Sequence, residues 1–202
     1  MLNHFKHTTG RHTLMAAALL IATVAALSAP DEARAGDLIL GAEASYGAPS
    51  GDWAETTSGG AGLQLRLGYA LPVPGIRLIP EVLGMQQEFG TLSDPQTPAA
   101  GDVTGYSAFI GAAGLRVGLE GPISPVVFGH YGFGELESVA SGVQQEGTYY
   151  DVGAALDLTI LPLVNVGVHG SYHVLEIDTD AARAPVAENA WTSFGAHLEV
   201  VF

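Results

Sequence analysis

Residues 191–202 read WTSFGAHLEVVF, and they alternate. In an extended chain successive side chains point to opposite faces. Thr192, Phe194, Ala196, Leu198, Val200 and Phe202 therefore share one face, which is nearly all apolar. Trp191, Ser193, Gly195, His197, Glu199 and Val201 share the other, centred on a histidine and a glutamate. A final strand with an aromatic outer face needs an apolar surrounding. Lipid around a β-barrel supplies one.

The same period-two pattern recurs upstream, giving eight expected strands at 37–46, 61–71, 76–87, 106–120, 125–135, 148–160, 163–175 and 191–202. The second is the clearest. Leu63, Leu65, Leu67, Tyr69 and Leu71 oppose Gln64, Arg66, Gly68 and Ala70. Pro80 in the third removes one ladder donor, which weakens that strand's assignment in a soluble sheet. The connections alternate. Residues 47–60, 88–105, 136–147 and 176–190 are long and polar, whereas 72–75, 121–124 and 161–162 are short turns that each contain proline. Long and short connections in alternation are the pattern of an up-and-down barrel with loops at one end and tight turns at the other. The expected fold is all-β: an eight-stranded antiparallel transmembrane barrel over 36–202, with four loops outside and both termini in the periplasm.

Residues 1–35 read as a cleaved signal peptide. Lys6 and Arg11 precede an apolar run over 14–27, and Ala33-Arg34-Ala35 is a small-residue cleavage site. The run is shorter than the roughly 20 residues a spanning helix needs. Lys6, Arg11 and Arg34 take three of the seven cations with them, and Asp31 and Glu32 take two of the 21 acids. The remainder carries four cations, 19 acids and a net charge of −15. That argues against nucleic acid and anionic lipid headgroups as electrostatic partners. The chain has no cysteine, hence neither disulfides nor thiolate metal sites.

Alternation does not by itself say which face points inward. A soluble eight-stranded barrel of the lipocalin type would put its large apolar side chains inside. Arg66, Arg77 and Arg116 stand among small residues on the polar faces, which suits a narrow interior. The apolar faces carry Tyr46, Tyr69, Tyr150 and Phe202 near their ends. Four cations are too few for an ordinary soluble surface. The expected arrangement is therefore polar inside and apolar outside.

With its export signal, eight alternating strands, the Leu78-Ile79-Pro80-Glu81 segment, a glycine-rich fifth strand and Phe202, the sequence resembles the small eight-stranded outer-membrane barrels of Gram-negative bacteria, of the OmpX and OmpA-membrane-domain kind. The resemblance covers the whole of 36–202. It implies residence in the outer membrane, contact with its lipid and lipopolysaccharide, and a terminal aromatic, Phe202, read by the barrel-assembly machinery. It implies form rather than chemistry. The peptidoglycan-binding domain of full-length OmpA-type proteins has no counterpart in the sequence.

The expected interior charge network is Glu43, Arg66, Arg77, Glu81, Arg116, Glu120, Asp157, His169, His197 and Glu199, with Asp151 on the same face. Opposite charges in a closed interior should meet, because an unpaired buried charge costs several kcal/mol or more. The other reading is a narrow ion path, porin-like in kind, although eight strands leave room for little beyond their own side chains. His130, His169, His173 and His197 all fall on inward positions. Two or three imidazoles with Glu199 are a ligand set for zinc or copper. Ligands on separate strands give no spacing motif, so the expectation is polar filling without metal or cofactor. His169 and Ser171 share a face, so an imidazole could activate a hydroxyl. Barrel-type lipid A deacylases resemble this, but their serine is followed by asparagine where this chain has Tyr172, and their site faces lipid. Glu176, Asp178 and Asp180 form an acidic loop without the glycine turn and closing glutamate of a calcium loop. The expected role is structural or surface-interaction and not catalytic, the alternatives being a narrow pore and, behind it, a lipid-modifying hydrolase. The ligand of the long loops is not legible.

Overall fold

The computed structural model describes residues 37–91, 105–177 and 187–202. The expected signal peptide lies outside them, as do Asp178 and Asp180. Eight long strands close into a barrel: β1 (Asp37–Ser50), β3 (Gly60–Val73), β4 (Ile76–Thr91), β5 (Gly105–Leu119), β6 (Ile123–Ser138), β7 (Gln144–Leu161), β8 (Val164–Ile177) and β9 (Ala187–Val201). A 3₁₀ turn (Gly51–Glu55) and the two-residue β2 (Thr57–Ser58) lie in the first long connection, and β2 pairs with the tip of β4. All pairings are antiparallel, each long strand pairs with the long strands before and after it, and β1 closes the ring on β9. Leu38 and Phe202 exchange two backbone hydrogen bonds across that seam, at 3.2 and 2.8 Å. Closure leaves the barrel without free edges. The β3–β4 ladder skips Pro80, resuming at Leu71 opposite Leu78, while β4 keeps its register with β5.

The outer surface carries an aliphatic band between two aromatic levels. Tyr69 lies opposite Leu38, beside Phe202, at the short-turn end. Tyr46 pairs with Phe194 and Tyr131 with Tyr150 toward the long-loop end. From Leu38 to Tyr46 the strand runs about 26 Å at roughly 3.3 Å per residue. A tilt of about 40° reduces this to about 20 Å of height, suited to a thin outer membrane. Leu40, Leu65, Val82, Leu115, Val127, Leu156, Val168 and Leu198 are all exposed within the band.

The strands are 14 to 18 residues long rather than about 11. The extra length is at the long-loop end, where the alternation continues with reversed sense. Leu83, Met85, Phe89, Ile110, Leu136, Leu175 and Ile177 point inward and are buried. Gln86, Glu88 and Glu146 point outward and are exposed. Outside the band the surround is water, so these segments pack as a soluble barrel does, apolar side in. The sequence 136–147, expected to be loop, is therefore mostly the β6–β7 hairpin, whose tip is 139–143.

Candidate functional site

Within the apolar band the interior is filled by a network of charge. Arg66 on β3 approaches Glu199 at 2.5 Å, Glu43 at 3.5 Å and Glu81 at 3.8 Å. Arg116 on β5 reaches Glu81 at 3.4 Å, Glu199 at 3.6 Å and Asp157 at 3.9 Å, with its guanidinium 5.0 Å from the centre of the Phe128 ring. Arg77 on β4 reaches Glu199 at 3.4 Å and Asp157 at 3.5 Å and lies nearest the short-turn mouth. Asn165 donates to Glu199 at 3.1 Å. His130 bridges Asp151 at 2.8 Å and Glu81 at 2.9 Å, a position in which an imidazolium can donate from both nitrogens. His197 meets Asp157 at 2.9 Å, and His169 lies 2.7 Å from Glu43.

The structure thus brings together Glu43, Arg66, Arg77, Glu81, Arg116, Asp151, Asp157, His169, His197 and Glu199. Glu120 is a correction. β5 ends at Leu119, and Glu120 is exposed in the following turn, where its carboxylate accepts from the Gly75 backbone N–H at 3.1 Å. Period-two phasing places it inside only if the strand continues, and the strand stops one residue earlier.

Room for these groups comes from glycines on the paired strand. Gly41 lies opposite Arg66, Gly114 opposite His130, Gly153 opposite Phe128, Gly167 opposite His197 and Gly195 opposite His169. Each of these five inward side chains lies across a residue with no side chain. A Cβ on Gly41 would sit 2.5 Å from Nε and 2.7 Å from Cγ of Arg66. Gly41→Val is therefore expected to destabilise the barrel by about 1–3 kcal/mol through overpacking. The urea midpoint of its unboiled gel band measures this, and a midpoint equal to the parent's would refute it.

Above the charges runs a neutral chain of hydrogen bonds. Ser171 and Ser193 each lie 2.8 Å from His173 Nε2. His173 Nδ1 lies 2.7 Å from the Tyr149 hydroxyl, which donates to Asp151 at 2.6 Å. Ser171 thus partners His173 and not His169, the histidine considered with it from the sequence. Two residues apart on one face fits either histidine, and Ser193, 2.8 Å from both Ser171 and His173, joins the cluster on the His173 side. A serine–imidazole pair is assembled, but Ser171 and His173 are buried on the inside, away from the lipid-facing surface.

An apolar plug seals the long-loop end. Trp191 is fully buried, stacked on His173 at 4.9 Å and 8° and edge-on to Phe89 at 5.5 Å. Trp53 from the 3₁₀ turn closes over it, 4.5 Å from Phe89 and 6.2 Å from Trp191. The polar inner face anticipated from sequence does not include this plug. Its signal was the run of apolar residues in inward phase, Leu83, Met85, Leu175 and Trp191. Glu176, expected in an acidic loop, is the penultimate residue of β8 and accepts from Tyr150 at 3.3 Å.

No family model matches the sequence, and no curated protein matches it either. Solved structures do. Neisserial surface protein A is similar with a TM-score of 0.56 and 13% identity, over 82% of this chain and 97% of that one. Ail, the attachment invasion locus protein of Yersinia pestis, gives 0.51 and 11%, over 83% and 99%. The outer membrane protease OmpT from Escherichia coli gives a lower 0.43 and 10%, over 87% and 99%. The fold is that of the small eight-stranded outer-membrane β-barrels.

Proposed function

We propose that this chain resides in the outer membrane as a closed barrel with a structural or surface-interaction role, neither conducting solutes nor catalysing a reaction. The observation that carries the reading is the filled interior: an apolar plug of Trp191, Phe89, Leu136 and Ile177 stacked on a belt of paired charge. Among the described residues Trp191, Arg66, Arg116, Asp157 and Glu199 are all buried, and so are Ser171 and His173. The aromatic levels and the band between them suit lipid and lipopolysaccharide as surroundings. The projecting β4–β5 and β6–β7 ends present the surface available to a partner.

The protein purified from outer membranes is expected to run at different gel mobilities before and after boiling, and to give no conductance steps in a planar bilayer. Reproducible steps would replace this reading with the channel. Hydrolysis of lipid A by the parent, lost in Ser171→Ala, would replace it with the enzyme. Phe202, 67% exposed at the β1–β9 seam, is the residue that resemblance marks as the assembly signal. Deleting it is expected to lower the amount inserted several-fold, read by outer-membrane fractionation. Unchanged membrane levels would remove that role.

A further inference from the structure

We infer that the barrel interior holds a divalent transition-metal ion of the zinc type between Glu43, His169 and His197. These residues come from three adjacent strands, β1, β8 and β9, and all point inward. Glu43 lies directly opposite His197 across the β1–β9 pair, and His169 lies opposite Gly195 on the β8–β9 pair. One ligand atom from each lies within 4.8 Å of the other two, and the imidazole rings are 5.7 Å apart. Two imidazole nitrogens and a carboxylate oxygen form a borderline-soft set that suits zinc and disfavours magnesium or calcium.

Three independent features point to a cation there. Both nitrogens of His169, and Nδ1 of His197, make no aligned hydrogen bond, although both side chains are fully buried. The 2.7 Å approach of His169 to Glu43 is close but off the hydrogen-bond axis. A buried nitrogen left unsatisfied is costly, and coordination satisfies one nitrogen of each ring. Second, Asp157 holds His197 Nε2 at 2.9 Å, leaving Nδ1 as the nitrogen open to a cation. A carboxylate fixing the far nitrogen of an imidazole is the usual outer support of a metal-bound histidine. Third, the charge sign is right. Among the described interior residues, five carboxylates (Glu43, Glu81, Asp151, Asp157, Glu199) face three guanidinium groups. His130 sits between two of the carboxylates at the far side of the network. Asp157 and Glu199 meet two and three guanidinium groups, whereas Glu43 meets that of Arg66 alone at 3.5 Å, so of the carboxylates beside these histidines Glu43 is the least compensated. Gly167 and Gly195 keep the space: a Cβ at either would stand within 2.6 Å of an imidazole carbon.

The competing occupant is a proton, shared between these histidines and carboxylates with no metal. The test unfolds protein purified from outer membranes in urea with chelator and refolds it into detergent micelles with cobalt(II) present, so that loading does not require passage through the plug or the charged belt. Expected are one cobalt per barrel and visible absorption bands of a nitrogen- and oxygen-ligated low-coordinate ion. These should be lost in His169→Gln and His197→Gln, weakened about 10- to 100-fold in Asp157→Asn, and unchanged in Glu120→Gln. Binding by His169→Gln/His197→Gln equal to the parent's would overturn the proposal, as would no cobalt uptake by the parent. X-ray absorption of the zinc-loaded parent requires no variant to fold. Two imidazoles in the first shell support the site, and an all-oxygen shell sinks it. Neither readout depends on whether the barrel conducts.

Discussion

Replacing Glu199 with alanine is expected to lower the unfolding free energy by about 3–5 kcal/mol, the range for breaking a buried ion pair. Glu199 is wholly buried and faces three guanidinium groups, those of Arg66 at 2.5 Å, Arg77 at 3.4 Å and Arg116 at 3.6 Å, besides Asn165. Without it the three guanidinium groups lose the one carboxylate they share, Arg77 keeping only Asp157, Arg66 only Glu43 and Glu81, and Arg116 only Glu81 and Asp157. Glu199→Gln keeps the volume and one acceptor oxygen, so its loss should be smaller than that of alanine. Glu120→Ala, in an exposed turn, should change stability by no more than about 0.5 kcal/mol. The measurement is urea unfolding of the barrel in lipid vesicles, followed by tryptophan emission. Arg66→Met combined with Glu199→Leu should lose less than the two single changes summed, because partners in one network are not additive. If Glu199→Ala tracks Glu120→Ala, the charge belt fills space without holding the barrel.

The eight strands were legible because alternation along 63–71 or 191–202 has one physical solution once lipid lies outside. Phasing also identified the inward faces, since Arg66, Glu81, Asp157 and Glu199 leave no choice of side. What misled was the assumption that a strand keeps one sense throughout. Leu136 between Glu135 and Glu137 still alternates, but with the apolar residue inside, because that end of β6 lies beyond the aliphatic band. Taken as a polar loop, it hid the upper half of the interior. Glu120 failed at the opposite end, where a one-residue difference in strand termination moves a carboxylate from the core to a turn. Partner choice was not legible at all. Whether Ser171 meets His169 or His173 goes with cross-strand neighbours such as Ser193, which spacing along one strand does not encode.

The glycine content takes on a physical cause through register. Arg66, Phe128, His130, His169 and His197 each face glycine across a strand pair. In a barrel of eight strands, interior volume is the scarce quantity. Pairing these five groups with glycine leaves each of them room over the neighbouring strand. Arg66 on β3 thereby reaches Glu199 on β9 across β1. The network's connectivity is therefore written as much in the glycines as in the charges.

Trp191→Ala should lower stability by about 3–5 kcal/mol, the range for removing a large buried aromatic, and should leave the bilayer without conductance steps. The indole is fully buried and touches His173, Phe89, Tyr149 and Trp53, so its loss leaves a cavity that no single neighbour can fill. Trp191→Phe should lose less, because the indole Nε1 has no hydrogen-bond partner to forfeit. Trp53→Ala, only partly buried, should lose less again. Urea midpoints order the three. The conductance arm separates the two layers of the seal. Arg66 and Arg116 lie below the plug and meet carboxylates from β1, β4, β7 and β9, spanning the lumen. Opening the plug alone should admit water as far as that belt and no ion past it. Conductance steps in Trp191→Ala that are absent in the parent would mean that the charged belt is already passable, and that the aromatic plug is the gate of an occluded channel.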